Sequence, residues 1–171
     1  MRPRVSWLTA IALLAATAST AGPDRVTFPT GYRSHALYFT ADRAVNDTVR
    51  VFYVSPEAAQ PAKPGEPLPS GTVITMEIYK AKLDGTGKPA KDGHGRFVKG
   101  ELVSIQVMEK RTGWGSEYSE GLRNGDWDYA QFDPDGRLNH PADTTVCLGC
   151  HRKMANQDFV FSFPQLGKAP P

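Results

Sequence analysis

Along much of this chain apolar and polar residues alternate with a period of two, the pattern of half-buried β-strands. Residues 49–54 (Val-Arg-Val-Phe-Tyr-Val) are rich in β-branched and aromatic side chains and predict one strand. Residues 72–82 predict a second, with Ile74, Met76 and Ile78 sharing a face. Residues 101–108 predict a third, with Val103, Ile105 and Val107 on its buried side. Residues 126–132 predict a fourth, and 158–163 a fifth with Phe159, Phe161 and Phe163 aligned. Two stretches depart from this period. Tyr32, Ala36, Leu37 and Phe39 fall on one side of a helix over residues 28–42, with Thr30 as its cap. A short helix is expected over residues 145–156, and a single helical turn over 56–60. The connections are a Pro-rich link (61–71), a Gly- and Lys-bearing loop (83–100) and a Gly-rich segment (113–125). The fold class is therefore mainly β (α+β): an antiparallel β-sheet with a few short helices. No set of four long amphipathic helices exists to build a bundle.

The N-terminus does not belong to this pattern. Arg2 and Arg4 precede an apolar stretch over residues 7–16, and Ala18, Ser19, Thr20 and Ala21 supply small residues for cleavage. Residues 1–21 thus read as a secretory signal peptide, with residues 22–171 as one domain and the periplasm as destination. The apolar stretch is short for a membrane span, and no later segment is longer. The formal net charge is +2, and two of the positive charges lie in the leader. Such a balance gives no electrostatic case for nucleic acid or a membrane surface.

Only two cysteines occur among the 171 residues, and both fall in Cys147-Leu148-Gly149-Cys150-His151. This is the C-x-x-C-H arrangement of covalent c-type haem attachment. Two thiols can each add to one haem vinyl group, and the adjoining imidazole then becomes an axial ligand of the iron. A thioredoxin-like pair would follow a strand and open the helix of a βαβ unit, which is missing here. A zinc site would need two more close ligands. The expected cofactor is one covalent haem c held by Cys147, Cys150 and His151, with His151 on the metal. The periplasm is the compartment in which such attachment occurs, so motif and leader agree. The common helical c-type cytochromes usually carry this motif near the N-terminus; here it lies near the C-terminus, in a β-rich chain.

The order of features resembles the cytochrome P-460 superfamily, which includes cytochrome P-460 and cytochrome c-prime-beta. The resemblance runs through residues 29–33 (Pro-Thr-Gly-Tyr-Arg), 51–56 (Val-Phe-Tyr-Val-Ser-Pro) and 71–78 (Gly-Thr-Val-Ile-Thr-Met-Glu-Ile). It continues in 125–129 (Gly-Asp-Trp-Asp-Tyr), the haem motif, and 158–161 (Asp-Phe-Val-Phe). It implies an antiparallel sheet with few helices and often a homodimer. In cytochrome P-460 a lysine just before the glutamate of the third of these segments is cross-linked to the haem, and hydroxylamine oxidation accompanies the cross-link. Met76 stands at that position here. Lys80 and Lys82, about 13 and 20 Å further along the strand, are no substitute. In this respect the chain is nearer to cytochrome c-prime-beta, in which phenylalanines crowd the distal side and select small gases.

The sixth iron position is open or filled by a side chain. Met76 either packs against the macrocycle or ligates the iron. Met108 and Met154 are weaker candidate ligands. His140 is a candidate distal acid–base group for peroxide or dioxygen chemistry, or a surface histidine in a polar turn. His35 and His94 read as incidental. Phe39, Phe52, Tyr53 and Trp127 are available to wall the pocket. Three functions follow: a five-coordinate haem protein for nitric oxide, another small gaseous ligand or peroxide; a His/Met electron-transfer cytochrome; or a hydroxylamine oxidase, against which Met76 argues. Lys88, Lys91, Arg96 and Lys99 are available to dock an acidic periplasmic redox partner.

Overall fold

The computed structural model describes residues 25–60, 62–139 and 143–168. The expected signal peptide and His140 lie outside them. Five strands form one antiparallel meander in the order β1-β2-β3-β4-β5: Ala36–Arg43, Thr48–Val54, Val73–Ala81, Lys99–Lys110 and Trp127–Phe132. One α-helix, α1 (Thr144–His151), follows the sheet and continues into a 3₁₀ turn, Arg152–Gln157. Among the described residues no helix is long and apolar enough to cross a membrane.

Strands β2 to β5 fall where the alternation places them. The other two expectations need correction. Residues 28–42 are not a helix. Gly31 takes a left-handed φ of 80°, a 3₁₀ turn covers Tyr32–Ser34, and β1 begins at Ala36. A bulge explains the misleading period. Leu37 pairs with Tyr53 and Phe39 with Phe52, leaving Tyr38 as the extra residue. Tyr38 and Phe39 both reach the side of the sheet that carries Phe52, with ring centroids 6.2 and 5.4 Å from it. A bulge abolishes the period of two locally, so the apolar spacing imitates a helix. Residues 158–163 are not a strand either. Asp158 and Phe159 have positive φ, and a 3₁₀ turn forms at Phe163–Gln165. The three phenylalanines do not share a face: Phe163 is buried and Phe161 is half exposed.

One face of the sheet is closed by the N-terminal segment. Val26, Phe28 and Tyr32 pack on Val49, Val51, Tyr53, Ile105, Val107 and Phe132. Within this apolar layer lies Glu77, 1 % exposed. Its carboxylate accepts hydrogen bonds from Tyr32 Oη at 2.6 Å, Arg33 Nε at 2.8 Å, Tyr79 Oη at 2.9 Å and Tyr53 Oη at 3.3 Å. Burial alone would raise its pKa. The bonds from Tyr32, Tyr79 and Arg33 outweigh burial and hold Glu77 below the usual carboxylate range. The same burial and hydrogen bond push Tyr32 well above an ordinary phenol.

Candidate functional site

The opposite face is closed over only part of its length. Tyr38, Val54, Ile74, Met108 and Tyr129 at one end pack under Leu148, Val160, Phe163 and Leu166 of the C-terminal segment. Tyr38 Oη lies 2.7 Å from Ser162 Oγ and fastens the two layers. Further along the same face, register pairs Phe39 with Phe52, Phe52 with Met76, Met76 with Gln106 and Gln106 with Gln131. These side chains are only half buried. Cys147 lines a cleft with Gln106 and Gln131, so α1 stands directly above this end.

Local chemistry places the motif there. Asp143 caps α1, its Oδ1 accepting from Thr145 N at 2.9 Å. Cys147, Cys150 and His151 are three and four positions apart and share one helix side. Leu148, on another side, is buried in the core. Asn124 Nδ2 donates to Leu148 O at 2.9 Å and to Tyr129 Oη at 3.2 Å, which ties the helix to the sheet. Cys147 is half buried and Cys150 exposed. Desolvation, with the neighbouring Cys150 and Asp143, raises the Cys147 pKa and keeps it a neutral thiol.

His151 is the most tightly held group of the site. Its Nδ1 donates to Phe159 O at 2.7 Å. With that nitrogen committed, the Nε2 lone pair is the one a metal can use. Burial lowers the imidazole pKa, and the bond to Phe159 only partly opposes this. The ring therefore stays neutral, the form that ligates. Tyr129 and Phe161 flank it, with ring centroids at 4.9 and 5.1 Å.

These features fit a haem. Phe161 beside the imidazole is 50 % exposed and Val146 on α1 is 67 % exposed, two of the five large apolar side chains exposed among the described residues. A flat apolar ring tethered at Cys147 and Cys150 has apolar surface of its own to lay against the half-buried end of the face. The alternation of residues did not reveal Arg50, which lies on this face two residues before Phe52. Its Nε is buried without a hydrogen-bond partner. Burial and Arg43 lower its pKa, and Cys150 is near enough to act in the opposite sense.

Other expected positions fall as follows. Met76 faces the site. Met108 shares its face but is buried at the closed end, and Met154 follows His151 in the 3₁₀ turn. Phe39 and Phe52 face the site. Tyr53 lies on the Glu77 side, and Trp127 is sealed in the closed end. His35 stands just before β1, and His94 lies in a turn on Asp92. Lys80 is exposed beside Glu101. Of the four basic residues considered for docking, Arg96 is bound to Asp42 at 2.9 Å and Lys99 Nζ stands 4.9 Å from the Tyr79 ring centroid.

A single antiparallel sheet carrying a C-x-x-C-H helix over a half-covered apolar face defines a β-type haem protein. Residues 29–162 match the model of the Cytochrome P460 family, and the chain belongs to that family. It is accordingly a haem cytochrome. No individually curated protein matches it closely enough to count as a relative.

Proposed function

We propose that this protein is a periplasmic cytochrome with a single covalent haem c, ligated by His151 on one side and presenting its other side to a small ligand, nitric oxide or peroxide. The observation that carries the reading is the His151 Nδ1–Phe159 O bond of 2.7 Å on the helix that presents Cys147 and Cys150. When bound, a haem c would supply a redox-active iron able to bind an imidazole and a small exogenous ligand. Cys147 and Cys150 would tether it, and His151 would hold the metal. Phe39, Phe52 and Met76 would wall the pocket and limit the size of what enters. Arg50 and Gln106 would supply hydrogen-bond donors there. A His/Met electron-transfer site would have to use Met76, since Met108 is sealed under the C-terminal segment and Met154 follows His151 in the next turn; the absorption spectrum separates that alternative. Met76 in place of the cross-linking lysine disfavours hydroxylamine oxidation. An absorption spectrum of ferric and ferrous protein tests the reading. High-spin bands in both states, with nitric oxide binding to the ferrous form, are expected. Sharp low-spin bands would replace it with the electron-transfer reading, and a strongly red-shifted ferrous Soret band would mean a cross-linked haem.

A further inference from the structure

Two consecutive non-glycine residues, Asp158 and Phe159, lie in the left-handed region with φ of 47° and 63°. Such backbone costs free energy and persists only where neighbours hold it. The neighbours are specific. The Asp158 carboxylate accepts from Lys110 Nζ at 2.9 and 2.7 Å and from Leu68 N at 2.9 Å. The two side chains of this ion pair are 11 % and 10 % exposed. Lys110 ends β4, and its ammonium stands 5.6 Å from the Trp127 ring centroid. Phe159 N donates to Met154 O at 2.8 Å, and the Phe159 ring lies so close over Gly125 that a Cβ there would meet it at 3.3 Å. The left-handed pair reverses the chain after the 3₁₀ turn. It returns the Phe159 carbonyl to an imidazole eight residues earlier.

We infer that the Lys110–Asp158 ion pair is a positioning device for His151. By holding the strained Asp158–Phe159 turn it sets the hydrogen bond to Nδ1, and through that bond how strongly the imidazole donates to the iron. The inference rests on the haem ligation proposed for His151. A partner on the second ring nitrogen fixes ring orientation and raises ligand basicity. A more basic imidazole favours ferric iron. Cutting the ion pair frees the carbonyl and shifts the balance toward ferrous iron.

The test uses haem-loaded protein and three variants: Lys110→Met, Lys110→Arg and Asp158→Gly. Glycine adopts positive and negative φ about equally readily, so the last variant removes the ion pair that selects this turn without blocking the fold. The readouts are the iron–histidine stretching frequency of the ferrous form and the one-electron reduction potential. Lys110→Met and Asp158→Gly should lower the frequency and move the ferric/ferrous equilibrium at least tenfold toward ferrous, about 59 mV. Lys110→Arg should keep wild-type values. Should Lys110→Met fail to fold, Asp158→Gly against wild type decides. Unchanged frequency and potential in Asp158→Gly, or equal shifts in Lys110→Arg and Lys110→Met, would overturn the inference. Failure of the underlying haem reading gives a different result, since wild-type protein would then show no iron–histidine band.

Discussion

The two faces of the sheet are built from the same strands and completed in opposite ways. On the Glu77 face the chain supplies an apolar layer, a buried carboxylate, and four donors to that carboxylate from Tyr32, Arg33, Tyr53 and Tyr79. On the His151 face the C-terminal segment covers one end, and Phe52, Met76 and Gln106 stay half buried at the other. A buried charge met on every side by donors of its own chain is structural. The other face leaves Phe52, Met76, Gln106 and the Phe161 ring only partly covered beside the C-x-x-C-H helix, where the haem of this family would lie.

Removing the tether should separate the faces most sharply. Cys147→Ala with Cys150→Ala should abolish acid-stable pigment while the Glu77 face stays folded, as read by the near-ultraviolet circular dichroism of its tyrosines. Loss of all fixed tertiary signal would contradict the division. Next in size is Glu77→Leu, which strands three tyrosine hydroxyls and the Arg33 guanidinium. Breaking a buried charged cluster on one side costs about 3 to 5 kcal/mol, and the partly exposed Arg33 puts this one at the lower end. Urea denaturation measures it, and a change within about 0.5 kcal/mol, as at ordinary surface sites, would remove Glu77 from the account.

Acid should act through the same face. The folded-state pKa of Glu77 lies below its unfolded value. Its contribution is therefore complete above the unfolded value and disappears as pH falls through the folded one. Wild-type stability should drop more steeply on acidification than that of Glu77→Gln, and parallel curves would refute the assignment. The smallest expected effect on folding comes from Phe52→Ala. At a half-buried site it should cost less than the about 3 to 5 kcal/mol of a fully buried phenylalanine. Nitric oxide association should nevertheless quicken several-fold if this ring restricts access, and unchanged kinetics would move the entry route elsewhere.

The haem motif was legible because it is local: three side chains on one helical turn need no knowledge of the fold. Strands β2 to β5 were legible because each keeps its period of two. β1 was misread because Tyr38 bulges, and residues 158–163 because alternating phenylalanines look the same in a strand as in an irregular wrap. Glu77 escaped notice since an acid between Met76 and Ile78 normally marks a solvent side. Arg50, Asn124 and the Lys110–Asp158 pair could not be read at all. Their roles arise from approaches between segments distant in sequence, and no spacing encodes those.

The central claim is that haem is joined to α1 and completes the unfinished face. Mass spectrometry of the proteolytic fragment spanning Cys147 and Cys150, from protein matured with haem, tests it most directly. The account predicts one fragment heavier by a single haem, with neither thiol free to alkylate. Two alkylatable cysteines on a fragment of unmodified mass would contradict it.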